Sequence, residues 1–434
     1  MEDNPQTINS PILSRPSIQK HFDQLARSME EAQKRIDYTT AHDAEIVRAI
    51  HVVERFLRKK RRVCYGGQAI NALLPQKLKF YDEKYTIPDY DFFSPSMQED
   101  VEELIAMLLE EKFEDVNKKV GVHDGTMKVM VNYVAVADCS AMHPQMFSIV
   151  QRKAHLVGGI LYVDPDFLRM MMYLELSRPR GEIDRWKKVY ERLVLLNHSY
   201  PPGKCDQAIT TVPGISTDDR VACIDFCMQN KRVLVGPEVV DAMLMTKGIL
   251  SKEILLQKGG PTILLSETAE QDANDLKDIL QHVRKGVKVK HYEVWSDSLF
   301  PFYTITRRGE KLAMIFQIEA CEGYVIGRFK EGGQIRIGHP DTLLHLYYSL
   351  HLFGHLAKTY FQTSLQCLVE KLHSLMDTVR GHPTEFLPAF TLRCSGQQKG
   401  IATLLKLRQA RTEKEKQAKK QAKQSATRKQ RKLS

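Results

Sequence analysis

The chain has 434 residues, 43% of them hydrophobic and 27% charged, which is the composition of an ordinary soluble globular protein with room for two or three domains and a large core. No export signal is expected behind the polar, acidic start Met1-Glu2-Asp3-Asn4-Pro5, and no membrane span, because the most apolar stretch, Leu343 to Phe353, is eleven residues long and carries two histidines. Eight scattered cysteines without a Cys-x-x-Cys pair argue against an oxidised scaffold and predict free thiols in a reducing compartment.

Residues 1–17 read as a flexible, Pro-punctuated lead. Two helices follow, over 18–36 and 42–60, the second with Ile46, Val47, Ile50, Val53, Phe56 and Leu57 at helical spacing. A strand at 62–65 runs into Gly66-Gly67, which opens a helix over 68–74 ended by Pro75. Bare backbone N–H groups at such a turn can receive a phosphate. After a loop comes a strand over 89–93, Asp89-Tyr90-Asp91-Phe92-Phe93. Side chains two apart on a strand share a face, so Asp89 and Asp91 point the same way, close enough to hold a divalent metal ion. A helix over 98–111 and a hairpin of long strands between 115 and 139 close this unit as a mixed α/β sheet. Asp138 ends the apolar run Val129 to Ala137 and is the best third acid, ahead of Asp115 and Asp124 on the same hairpin.

Helices dominate 165–200, where Ile183, Trp186, Tyr190 and Leu193 form an apolar stripe beside a basic one of Arg185, Lys188 and Arg192. The basic stripe reads either as a solvated face or as the wall of a triphosphate or RNA cleft. Arg178, Arg185 and Lys188 are the candidates for that contact, with ion pairs from Arg178 and Arg185 to Glu175 or Glu182 as the structural alternative. Residues 201–230 read as a linker; Cys223 and Cys227 within it have loose metal-ligand spacing but no second ligand pair, and buried thiols are the better reading.

The stretch 231–325 then repeats the course of the first unit. Gly236-Pro237 stands where Gly66-Gly67 stood, and Pro261 to Ser266 stands where Pro88 to Ser94 stood, with both aspartates missing. The prediction is a second sheet of similar topology without the chemistry, followed by helix over 341–379. The organisation is thus a lead (1–17), a nucleotidyltransferase domain with N-terminal helices (18–200), a linker (201–230), a degenerate copy with C-terminal helices (231–380), and a loop with a basic tail (381–434). The net charge of +10 is carried wholly by 406–434, twelve Lys/Arg against two Glu, with no aromatic residue. It is expected to be disordered or a solvated helix, serving as a solubilising end, a polyanion-binding arm or a nuclear-import address.

Two aspartates shared between metal ions, a third acid and a glycine-lined phosphate pocket are the minimal apparatus of nucleotidyl transfer. The run Cys64-Tyr-Gly-Gly-Gln-Ala-Ile-Asn-Ala-Leu-Leu-Pro through Ile87-Pro-Asp-Tyr-Asp-Phe-Phe-Ser, with Met172 to Gly181, Arg185 to Lys188 and Arg192 to Asn197, resembles the poly(A) polymerase catalytic subunits of large cytoplasmic DNA viruses, those of giant amoebal and African swine fever-like viruses above all. The resemblance covers 20–380 and is most specific over 64–94. It implies a polymerase-β-like nucleotidyltransferase that adds adenylates from ATP to mRNA 3′ ends with two Mg²⁺ or Mn²⁺ ions. Asp89, Asp91 and Asp138 would be the carboxylate triad and Gly66 and Gly67 the phosphate-binding glycines. It further implies a degenerate second sheet, self-association as a homodimer, and work in the host cytoplasm at the viral factory, with packaging in the virion as an extension. The 21 residues between the glycines and Asp89 depart from the shorter spacing of the wider superfamily and leave the 75–87 loop unplaced. Transfer to a small-molecule or protein acceptor, and a non-catalytic RNA-binding processivity subunit, are the competing readings. For adenine selection Tyr162, Tyr173 and Asn197 are available and unranked.

Overall fold

The computed structural model describes residues 16–400 except 83, 122–124, 206–214, 246–247, 257–259, 293–299 and 356–361, together with Thr403 and Lys406. The basic tail therefore lies, beyond Lys406, outside the described residues, as does Asp124. Two helices, α1 (Pro16–Ala41) and α2 (Ala44–Lys60), lead in. Asp43 caps α2 by accepting from the Glu45 and Ile46 amides, and α2 buries the apolar stripe the spacing predicts except for Val47, which is exposed. By contrast, α1 buries no residue and shows Phe22, Leu25, Met29 and Ile36 to solvent.

The first sheet contains β1 (Val63–Tyr65), β2 (Tyr90–Ser94), β3 (Val116–Val120), β4 (Thr126–Val131), β5 (Val134–Ala141), β6 (His155–Val157) and β7 (Ile160–Tyr162). Between them lie α3 (Gly66–Leu73), α4 (Met97–Glu110) and α5 (Pro144–Lys153), and α6 (Pro165–Leu176) and α7 (Trp186–Ser199) follow. The strand order is β3-β4-β5-β2-β1-β7-β6. One face is covered by α2 and α4, through contacts such as Phe56 on Phe92 and the Ser94–Asp100 hydrogen bond. Phe93 on the other face packs on Phe167 of α6.

A second course begins inside the stretch read as a linker. Thr217–Gln229 is a helix, α8, because Ser216 caps it through the Asp219 amide and Cys223, Ile224, Phe226 and Cys227 are buried along it. The rest is β8 (Val233–Leu234), α9 (Pro237–Met245), β9 (Ile249–Leu250), α10 (Lys252–Leu256), β10 (Thr262–Ser266), α11 (Ala269–Val283), β11 (Val287–Tyr292), β12 (Phe302–Arg307), β13 (Glu310–Gln317), β14 (Glu322–Phe329), β15 (Gln334–Gly338), α12 (Pro340–Phe353), α13 (Gln362–Gly381) and β16 (Cys394–Ser395). Its sheet runs β11-β12-β13-β10-β8-β15-β14-β16, the same permutation as the first with one short strand added at the edge, while β9 pairs β14 off that path. Parallel and antiparallel pairings also agree: β2–β5 and β10–β13 are parallel, β1–β2 and β8–β10 antiparallel. Even a buried network recurs. Arg62 and Ser94 bind Asp100 as Arg232 and Ser266 bind Asp272.

The run Leu343 to Phe353 is apolar because α12 is buried on every side except at His351, lying along α6. Among the described residues no helix is long and apolar enough to cross a membrane. The expectation of free thiols fails for half the cysteines: the fold joins Cys205 to Cys367 and Cys321 to Cys394, pairs 162 and 73 residues apart in sequence. Such separations leave no local trace. Cys223 and Cys227 are free and buried, and Cys227 donates to the Arg232 carbonyl, so they are core thiols.

Candidate active site

The sequence predicts one strand carrying both acids; the structure starts the strand one residue later. The Asp91 amide donates to the Asp89 carbonyl at 3.2 Å, a three-residue turn centred on Tyr90, so Asp89 stands just before β2. Tyr90 anchors the turn on the reverse face, donating to Glu54 at 2.8 Å. Asp91 is in register with Asp138 of β5 on one side and with Tyr65 of β1 on the other. Partners in register share a face, so Asp138 stands on the same face as Asp91, whereas Asp115 lies before β3, at the sheet's outer edge, against Asn117.

The charges of the three acids act on one another. Burial, then Asp89 and Asp138, pushes the Asp91 carboxyl up to about 7. Asp89, at the exposed rim, is raised as well, by partial loss of hydration and then by Asp138. Asp138 is buried; its Oδ2 pairs with Lys128 of β4, and its Oδ1 has no hydrogen-bond partner among the described residues. These are features of a cation site: hard oxygens, mutual repulsion and an orphaned buried carboxylate oxygen. Among the described residues, however, no three acidic, His or Cys side chains stand in ligating positions around one point. Asp91 and Asp138 share a face, with Asp89 at its rim.

Repulsion here has a stability consequence with a definite sign. A folded-state pKa raised above the ordinary carboxylate value of about 4 means the native protein binds more protons than the unfolded chain, so stability falls as pH rises. In EDTA, wild-type melting temperature should decline between pH 4.5 and 7.5 relative to Asp91→Asn, and divalent ions should restore it. Parallel curves for the two proteins would refute the coupling.

Gly66 has φ +74, and a Cβ there would lie 2.5 Å from Asp91 Oδ2, so glycine is required both by backbone and by space. At Gly67 a Cβ would meet the Tyr81 hydroxyl at 2.5 Å and Arg192 Nη1 at 2.7 Å. The unplaced loop is thereby placed. Asn71 Oδ1 accepts from the Phe80 and Tyr81 amides at 3.0 Å each, folding the loop back over α3, and Tyr81 accepts from Arg192 at 2.8 Å. Arg192 also lies over the Phe80 ring, 4.7 Å from its centre. Among the described residues no side chain caps α3 at Tyr65. Arg192 is the site neighbour that sequence reasoning left in a stripe; its position four residues after Lys188 was the available signal.

The three basic candidates divide. Lys188 is exposed and makes no ion pair among the described residues; loss of hydration, then Arg192 and Arg185, hold its pKa down while Asp89 opposes them. Arg185 pairs with Glu182 at 2.7 Å and Glu175 at 3.4 Å, yet its charge still reaches Asp91. Arg178 is corrected: its partner is neither Glu175 nor Glu182 but Glu322 of β14, at 2.8 Å, in a carboxylate site fully buried between the two courses. The adenine candidates are absorbed elsewhere, Tyr162 on the reverse face of β7, Tyr173 against Tyr348 and His373, and Asn197 on Arg169. A cavity of about 520 Å³ opens on that reverse face, lined by Tyr90 and not by the acids.

In the second copy each acid has a registered counterpart that cannot bind a cation: Asp91 and Asp138 become Ile263 and Met314, and Asp89 becomes Pro261. Its helix start is filled as well. Glu238 folds its carboxylate against Gly236, and a Cβ on that glycine would strike it; Arg220, also buried, supplies the counter-charge at 3.9 Å.

Residues 51–182 match the family model for the poly(A) polymerase catalytic subunit. A protein of African swine fever virus (strain Badajoz 1971 Vero-adapted), named as a candidate poly(A) polymerase catalytic subunit, is 34% identical over 176 residues, 39% of this chain and 36% of that protein. One of the same name from Acanthamoeba polyphaga mimivirus is 31% identical over 156 residues, 35% of this chain and 26% of that protein. The match thus spans about a third of those relatives' length or less. The crystal structure of the Megavirus polyadenylate synthase superposes with a TM-score of 0.77 at 17% identity, covering 91% of this chain and 84% of that one. Residues 51–182 are thus similar to the viral poly(A) polymerase catalytic subunits, and the chain shares the fold of a viral polyadenylate synthase.

Proposed function

We propose that the protein is a template-independent poly(A) polymerase that transfers adenylates from ATP to the 3′ hydroxyl of mRNA. One observation carries the reading: Asp91 and Asp138 stand in register beside Asp89, against a glycine that only an absent side chain lets approach, on a chain related to such polymerases. Asp89, Asp91 and the free oxygen of Asp138 would hold magnesium or manganese ions. When bound, such ions lower the pKa of an attacking hydroxyl and neutralise the departing pyrophosphate. The chain's own groups do the rest. The uncapped α3 amides at Gly66 and Gly67 receive phosphate oxygens, and Arg192, Lys188 and Arg185 line the approach with positive charge. The partners in this proposal are ATP, an mRNA 3′ end and a second copy of the chain, in a host-cytoplasmic viral setting.

Purified protein incubated with labelled RNA, ATP and Mn²⁺ should extend the primer without a template and prefer ATP over the other nucleotides. Labelling of a small molecule or protein instead, with RNA untouched, would replace RNA as the acceptor. The tail gives a separate expectation: removing 406–434 should weaken RNA binding and flatten its salt dependence, by about 0.7 for each phosphate of a single strand that the tail had neutralised, with single-adenylate transfer retained. An unchanged slope would leave the tail no part in binding.

A further inference from the structure

Four side chains stand in one row across the sheet face that bears the acids: Lys128, Asp138, Asp91 and Tyr65, each in register with the next. The Lys128 ammonium is paired with Asp138, and its charge also acts on Asp89 and Asp91. The second copy supplies an internal comparison. Its row reads Thr304, Met314, Ile263 and Val235, so the cation has disappeared together with the acids. The loss of the lysine along with the acids ties its charge to theirs. Lysine also suits a cation that must leave, being a point charge on a flexible stem, whereas the arginine fork grips a carboxylate with both nitrogens. Its side chain is 36% exposed.

We infer that Lys128 is a positioning residue for the proposed reaction: it is the resident counter-cation of the acid cluster, orienting Asp138 and competing with a divalent ion for it. This rests on the reading of Asp89, Asp91 and Asp138 as the ion-holding acids.

The test is Mn²⁺ binding to the full-length, nucleotide-free protein, followed by electron paramagnetic resonance of the unbound ion. Lys128→Met should bind Mn²⁺ about tenfold more tightly than wild type, the equivalent of one pK unit of released competition. Lys128→Arg should bind no more tightly than wild type, and the thermal shift on adding Mn²⁺ should be largest in Lys128→Met. Unchanged or weaker binding by Lys128→Met would overturn the inference, and so would tighter binding by Lys128→Arg. Asp91→Asn separates the two levels: if it leaves Mn²⁺ affinity unaltered, the ion-holding reading itself fails, whatever Lys128 does.

Discussion

Replacing Asp89 and Asp91 together by alanine should reduce adenylate transfer by roughly 10³–10⁵-fold, because several kcal/mol of transition-state charge stabilisation goes with the ions those acids would hold. The loss should fall on turnover more than on RNA affinity, since the basic stripe of α7 and the tail are untouched. The variant should remain folded. Both acids are raised above the ordinary carboxylate range, so in the absence of metal their charges oppose folding, and removing them should raise the melting temperature in EDTA at pH 7.5 and above. Loss of activity with a gain in metal-free stability is a combination that a general structural defect cannot produce. Primer extension by the double variant at a rate near wild type would end the assignment.

Glu238→Ala should destabilise the protein by about 3–5 kcal/mol, since it leaves the Arg220 guanidinium buried without its counter-charge. Both side chains are almost completely inaccessible, and among the described residues Arg220 keeps the Gly260 carbonyl, at 2.6 Å, as its close partner. Chemical denaturation reads the change as a lower midpoint with an unchanged slope. The double variant Glu238→Gln, Arg220→Met should recover most of the loss, because replacing both charges removes the cost of burying either one. Transfer per folded molecule should be unaffected in every case. An unaltered midpoint for Glu238→Ala would mean that the carboxylate does not fill and neutralise the degenerate helix start.

The candidate site was legible where chemistry and periodicity are local. Two aspartates around a tyrosine, a glycine pair before a helix and an apolar run ended by an acid each need only a few neighbouring residues to be read. The repeat was legible for the same reason, because Gly236 and Pro261 to Ser266 keep their order after the acids are gone. The turn at Tyr90 was not legible. It depends on Glu54, 36 residues away, to hold the tyrosine hydroxyl. Helix α8 was hidden because its buried face is shared with Asp219 and Arg220, whose partners Arg307 and Glu238 stand 88 and 18 residues further on. The ion pair of Arg178 with Glu322 spans 144 residues, so helical spacing could offer only Glu175 and Glu182.

By itself the sequence determined which residue types were available to hold a cation and a phosphate, and that one of two sheets had lost them. Side-chain chemistry and strand alternation are properties of short segments, so they survive being read in one dimension. The tertiary structure alone decided which groups face one another: that Lys128 meets Asp138, that Arg192 and Tyr81 close over Gly67, and that Glu238 fills the second helix start. Those contacts arise from sheet register and from chain folding back over long separations, and electrostatic energy depends on distance in space, which sequence distance does not record.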